Sequence, residues 1–212
     1  MILQEIEEER GGMEMHYTSL LEEDLLDAAE LYCRAFTGEG FSNEEKESAL
    51  RNIQKDTTYE GYTGMKATDQ DGRLAGFAYG YKSLPGQFYR GKLEEQMTQD
   101  QADFWLNDCF EFVELAVDLS YKRRGVGSSL HDKLFEVVRN STAVLTTSIS
   151  NISAVSLYEK KRWKIIKDHA PVISSRNLQV IMGRESPSKA IHQDKQAAAV
   201  PSVHKGGVAG RW

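Results

Sequence analysis

Residues 110–134 read FEFVELAVDLSYKRRGVGSSLHDKL, and this run decides the fold. Phe110 to Val117 carry apolar side chains at positions of both parities, the pattern of a strand covered on both faces. The turn YKRRG follows. Val126, Leu130, Leu134, Val137 and Val138 then form the apolar stripe of an amphipathic helix. Gly125 and Gly127 let backbone amides face outward where that helix begins. A helix start offers unpaired N–H groups and the positive end of the dipole, and Lys122, Arg123 and Arg124 add charge beside it. The turn therefore reads as an anion site, or as a solvated basic helix start. It lacks the Gly-Lys-Ser/Thr end of a P-loop and the third glycine of the dinucleotide fingerprint.

Upstream, His16 to Leu20 suggests a first strand. DLLDAAELYCRAF places Leu25, Ala28, Ala29, Leu31, Tyr32, Ala35 and Phe36 at near-helical spacing, with Asp24 as a candidate cap. A second helix is expected over 42–54, with Ser42 and Glu45 spaced as a capping box. Two β-like runs flank Asp71-Gly72, a hairpin signal. Residues 91–107 form a charged, helix-like connector. Downstream, strands are expected at 143–149, 163–167 and 176–182, with a helix over 153–161. Strands first and an alternating second half predict a three-layer α/β fold with a mixed sheet.

Composition bounds the rest. The 212 residues are 40% hydrophobic and 27% charged, with four prolines and a formal charge of −6. Acidity argues against a nucleic-acid partner, whose binders are normally basic. No run approaches the roughly 18 apolar residues of a membrane helix, so no membrane partner is expected, and MILQEIEEER is acidic where a secretory leader is basic. A cytoplasmic protein is expected. Cys33 and Cys109 form neither a disulfide framework nor a zinc spacing, and both read as buried packing residues. No metal is expected. Residues 185–212 carry almost no large apolar side chains until Trp212 and read as a disordered tail containing His192 and His204. Residues 1–12 read as an acidic extension, or as translated leader sequence with the true start at Met13 or Met15. The folded unit is then 13–184.

A second constellation lies downstream. Asn151, Ala154 and Tyr158 fall at i, i+3 and i+7 on one helix face, followed by Trp163. Together with the turn at 122–127, this resembles motifs A and B of the GNAT superfamily of acyl-CoA-dependent N-acetyltransferases. Motif A there reads Gln/Arg-x-x-Gly-x-Gly/Ala after a strand; motif B reads Asn-x-x-Ala-x-x-x-Tyr-x-x-x-Gly-Phe. Lys122 stands where Gln or Arg is usual. Arg162 stands where Gly is usual, which calls into question the left-handed helix end expected there.

The resemblance implies a three-layer α/β/α GNAT-like fold whose central sheet is mixed, mostly antiparallel and splayed at the motif A strand. It implies N-acetyl transfer from acetyl-CoA to a primary amine, with a catalytically silent acyl-CoA sensor as the alternative. Backbone groups of Leu115, Ala116 and Val117 would pair with the pantetheine arm. Lys122, Arg123, Arg124, Gly125, Val126, Gly127 and Ser128 would hold the pyrophosphate, and Asn151 and Tyr158 would border the cofactor. Tyr158 is the candidate general acid. Glu111 is preferred over Glu114 as general base, direct or through water. His131, His16 and His169 read as surface histidines. The acceptor, a small-molecule or protein amine, would meet a wall drawn from Phe41, Tyr79, Tyr81, Phe88, Tyr89 and Trp105. A monomer or homodimer is expected.

Overall fold

The structure, a computed structural model, describes residues 6–9 and 14–186. One mixed sheet forms the centre. Its strands are β1 (Ile6–Glu9), β2 (Glu14–Ser19), β3 (Thr63–Thr68), β4 (Leu74–Ser83), β5 (Cys109–Val117), β6 (Thr142–Ser148), β7 (Lys164–Ser174) and β8 (Asn177–Glu185). They lie in the order β1-β2-β3-β4-β5-β6-β8-β7. Every neighbouring pair is antiparallel except β5 and β6.

Helices cover both faces. α1 (Leu25–Phe36) and α2 (Asn43–Thr57) pack Leu25, Leu31 and Ile53 against Phe77, Tyr79 and Ala116. On the other face α5 (Val126–Val137) and α6 (Ile152–Lys160) cover Phe110, Phe112 and Met182. The expected connector over 91–107 is two short helices, α3 (Phe88–Glu94) and α4 (Gln99–Trp105). Thr98 and Gln101 form a reciprocal capping box that starts α4. These two helices lie on the α1/α2 side, packing Leu93 and Leu106 against Val144 and Ile181.

Local expectations are refined in several places. The Ser42–Glu45 box caps α2 as read, but the helix runs on to Thr57. Asp24 does not cap α1 with its side chain; its carboxylate accepts from the Leu21 amide and pairs with Lys66. β3 and β4 do form a hairpin, joined by residues 69–73, where Asp69 accepts from the amides of Asp71 and Arg73. Gly72, at φ +77°, supplies the left-handed step. β7 is longer than the expected 163–167, with its register against β8 shifting repeatedly. At the ends, Ile6–Glu9 pairs with β2 and Glu185 closes β8; residues 1–5, 10–13 and 187–212, His192 and His204 included, lie outside the described residues.

Candidate active site

The site is centred on β5. This strand pairs with β4 along its whole length, but its parallel ladder with β6 runs only from Cys109↔Thr142 to Glu111↔Val144. Just beyond, Val113 is an extra residue between the pairs Gly80↔Phe112 and Tyr79↔Glu114, a β-bulge. A bulge bends and twists its strand, and here it coincides with the point where β5 leaves β6. Leu115 and Val117 pack toward α5, and Ala116 is buried against the α1/α2 layer. What this segment can offer a ligand in the splay is therefore backbone. The Leu115 amide faces away from the ladder and donates to its neighbour's carboxylate, Glu114 Oε1, at 3.1 Å.

The turn after β5 is built from backbone conformation. Lys122, Arg123 and Arg124 are exposed. Arg123 has φ +62°, and Gly125, at φ +88°, occupies the N-cap of α5 with no side chain to cap it. The first amides of a helix have no intrahelical acceptor, so those of Val126, Gly127 and Ser128 face outward. A Cβ on Gly127 would lie 3.4 Å from Val117 and 3.8 Å from Leu115. That spacing seats the helix start directly over the splayed half of β5, which fits a phosphate-bearing ligand whose arm continues along the strand.

Between the splayed strands opens a cleft of about 720 Å³. Glu111, Glu114, Asn151 and Tyr158 all line it, so residues predicted from two separate motifs converge there. Glu111 is 3% exposed and accepts from Tyr81 Oη at 3.3 Å and Ser83 Oγ at 3.0 Å. Burial pushes its carboxyl up to about 7, against the lowering effect of those bonds. Glu114 is also raised to about 7 by burial. Burial and the Glu114 charge raise the Tyr158 phenol. Its ring stands edge-on to Phe112, centroids 6.0 Å apart. Asn151 Oδ1 accepts from the Ala154 amide at 3.2 Å, capping α6.

Tyr158 is held by the end of its own helix. Trp163 N–H donates to Tyr158 O and Arg162 N–H to Glu159 O, the two bonds of a Schellman motif. Arg162 adopts φ +67°. The left-handed end forms even though arginine replaces the usual glycine.

His131 corrects the sequence reading: it is fully buried, not a surface residue. Trp163 Nε1 donates to its Nε2 at 3.0 Å, and its Nδ1 faces Asp132 Oδ1 at 3.1 Å. With Nε2 accepting, the proton of the neutral ring sits on Nδ1. Burial pushes its pKa down to about 4. The residue is absent from the cleft lining and packs against Phe112 and Phe135.

Of the expected acceptor wall, Tyr79, Tyr81, Phe88 and Tyr89 line the cleft. Phe41 packs against the α1/α2 cluster, and Trp105 belongs to the α3/α4 cluster beside Gly183. The structure adds Asp56 from α2, which accepts from Tyr79 Oη at 2.9 Å, together with Tyr32 and Tyr59. A signal for Asp56 existed. It stands at i+7 from Ala49 and i+3 from Ile53, the two buried residues of α2, so the helical period carries an acid onto the apolar face. Stopping the helix at Gln54 hid it. Arg90 lies outside the cleft lining: buried, it donates to the carbonyls of Ser83 and Leu106 and fixes the connector to the end of β4. Tyr89 Oη meets Thr146 Oγ1 at 2.6 Å and Gln179 Oε1 at 3.2 Å, tying α3 to β6 and β8. Among the described residues, no group of His, Cys, Asp and Glu could hold a metal ion, and no helix is long and apolar enough to cross a membrane.

Comparison with known proteins agrees with this geometry. No curated protein sequence matches the chain. Many solved structures share the fold. The ribosomal-protein-S18-alanine N-acetyltransferase of Escherichia coli is 22% identical, covering 81% of this chain and 93% of its own, with TM-score 0.57. The paiA N-acetyltransferase of Thermoplasma acidophilum, solved with coenzyme A, is 17% identical over 81% and 99%, with TM-score 0.53. yncA of Salmonella typhimurium, solved with acetyl-CoA, is 13% identical over 81% and 93%, with TM-score 0.57. At these identities the likeness speaks for the fold alone. The family model for the acetyltransferase (GNAT) family matches residues 25–162, which take in the splayed strand, the turn at 122–127 and the helix of Asn151 and Tyr158, and the chain belongs to that family.

Proposed function

We propose that this protein transfers the acetyl group of acetyl-CoA to a primary amine by direct attack of the amine on the thioester. The observation that carries the reading is the parting of β5 from β6 at Glu111↔Val144, with two carboxylates and a phenol lining the opening. Leu115, Ala116 and Val117 would take the pantetheine arm as an added strand. The first-turn amides of α5, with Lys122, Arg123 and Arg124, would hold the pyrophosphate.

Bound acetyl-CoA supplies the activated acyl group; the chain's side chains and amides move the protons and steady the charge. The Leu115 N–H, released from Glu114, donates to the thioester carbonyl oxygen. Glu111 takes a proton from the amine, directly or through a water, so that the nitrogen lone pair can form the C–N bond as the C–S bond breaks. Tyr158 donates a proton to the departing sulfur, and the nitrogen, made acidic by the new C–N bond, gives its surplus proton back to the Tyr158 phenolate, leaving the amide and the free thiol. The raised pKa of Tyr158 keeps the phenol protonated at neutral pH. Glu114 is the weaker candidate for base, because its carboxylate occupies the amide that the carbonyl requires.

The test is a thermal shift with acetyl-CoA followed by free-thiol release across a panel of amines. Stabilisation and thiol release are expected together. Stabilisation without release from any amine would replace the enzyme with a silent acyl-CoA sensor; no stabilisation would remove both. Tyr158→Phe is expected to lower kcat about 100-fold while the Kd for acetyl-CoA moves less than about twofold. Equal turnover in the variant would remove the acid role.

A further inference from the structure

Three carboxylates line one cleft: Asp56 from α2 and Glu111 and Glu114 from β5. Among the described residues none of them is in an ion pair; two other enclosed acids, Asp118 and Asp24, are matched with Arg34 and Arg73 and with Lys66. The three accept only from neutral donors: Asp56 from Tyr79, Glu111 from Tyr81 and Ser83, and Glu114 from the Leu115 amide. The one basic side chain among the lining residues, Lys55, is exposed. Lys55 attracts Asp56 and Arg90 attracts Glu111 through space without forming an ion pair, and withdrawing carboxylates from water without a paired cation is costly. The transfer reaction uses one of them as base, and Asp56 has no part in it.

The walls suit a cation as well. Tyr59 and Tyr81 lie 4.6 Å apart between centroids, tilted by 51°, and both line the cleft beside Asp56. The negative faces of such rings attract ammonium groups. Apolar side chains that also line the cleft, Phe36 (55% exposed), Phe88 (65%) and Ile173 (54%), would cover a methylene chain.

We propose, resting on the N-acetyltransferase reading, that the acceptor is a dication, an amine whose second ammonium group binds the Asp56 carboxylate and the Tyr59–Tyr81 rings through an apolar spacer. Asp56 is then a specificity-determining residue.

The experiment compares butylamine, 4-aminobutan-1-ol and 1,4-diaminobutane, both by thiol release with acetyl-CoA and by calorimetric binding in the presence of CoA. Diaminobutane is expected to exceed both monoamines by about tenfold or more in kcat/KM, beyond the twofold owed to its two reactive ends. Asp56→Asn keeps an oxygen for Tyr79 and is expected to shrink that preference to about twofold. Glu60→Gln, which removes an exposed acid paired with Lys82, serves as control and should keep it. Comparable kcat/KM for the three amines, or a preference that survives Asp56→Asn, overturns the dication proposal and leaves acetyl transfer standing. Selective binding of diaminobutane without thiol release overturns acetyl transfer and leaves the cation site. Neither binding nor release with diaminobutane overturns the dication proposal, and acetyl transfer is then judged on acetyl-CoA binding and the wider amine panel.

Discussion

The two ends of the cleft are built by different means. At the donor end the backbone makes the shape: Arg123 and Gly125 hold left-handed conformations around an uncapped helix start, and α6, which carries Tyr158, ends on a left-handed Arg162. At the acceptor end side chains make it. Glu111, Tyr81, Ser83, Asp56 and Tyr79 form two hydrogen-bonded groups contributed by α2, β4 and β5. The charges are opposite too, an exposed basic run at 122–124 against three enclosed carboxylates. A site shaped by backbone should tolerate side-chain exchange and suffer from dihedral changes. One shaped by side chains should do the reverse.

The largest effect should therefore come from Glu111→Gln. Glutamine keeps a carbonyl oxygen for one of the two hydroxyls, Tyr81 or Ser83, and its NH2 can donate to the oxygen of the other, so the fold should persist while the proposed base is lost, and kcat should fall by about 10²–10⁴-fold. The pH profile supplies the sign. With the Glu111 carboxyl held up at about 7, the proposed base is protonated and idle at lower pH. The wild-type kcat/KM should rise with pH and bend near 7, and the variant should lack that bend. If the bend survives Glu111→Gln and vanishes in Glu114→Gln, the base is Glu114.

The same division explains what could be read from the sequence. The donor end is local: Lys122 to Ser128 and Asn151 to Trp163 are short runs in which spacing fixes which groups share a turn or a helix face. The acceptor end is not local. Asp56, Tyr81, Tyr89 and Glu111 come from α2, β4, α3 and β5, and only packing brings them together. Trp105 and Phe41 look as suitable as Tyr89 in sequence; packing sets Trp105, at the end of α4, against Gly183 and Phe41 against the α1/α2 cluster. His131 shows the limit from the other side. It falls among polar neighbours, Asp132 and Lys133, yet the indole N–H of Trp163, distant in sequence, completes its hydrogen bonding and allows full burial.

At the donor end a smaller, conformational effect is expected from Gly125→Ala. The new Cβ would meet nothing within 4 Å, so the cost is that of a left-handed φ alone, about 1 kcal/mol, or a fall in Tm of about 2–4 °C. Relaxation of the turn should also weaken acetyl-CoA binding about fivefold, measured by titration calorimetry. Unchanged affinity would move the phosphate contact from the amides to the side chains of Lys122 to Arg124.

Arg162→Gly should give the smallest effect, and with opposite sign. The Schellman bonds from Trp163 and Arg162 are backbone bonds and survive the substitution. Glycine relieves a left-handed residue of about 1 kcal/mol but gives back roughly half of that through the freer unfolded chain. The charge of Arg162 also opposes that of partly buried Arg184, so its removal adds in the same direction. A net gain of about 0.5 kcal/mol, or roughly 1–2 °C in Tm, is expected by calorimetry. A loss of stability instead would mean that the arginine side chain holds the end of α6, and that this part of the donor end depends on a side chain after all.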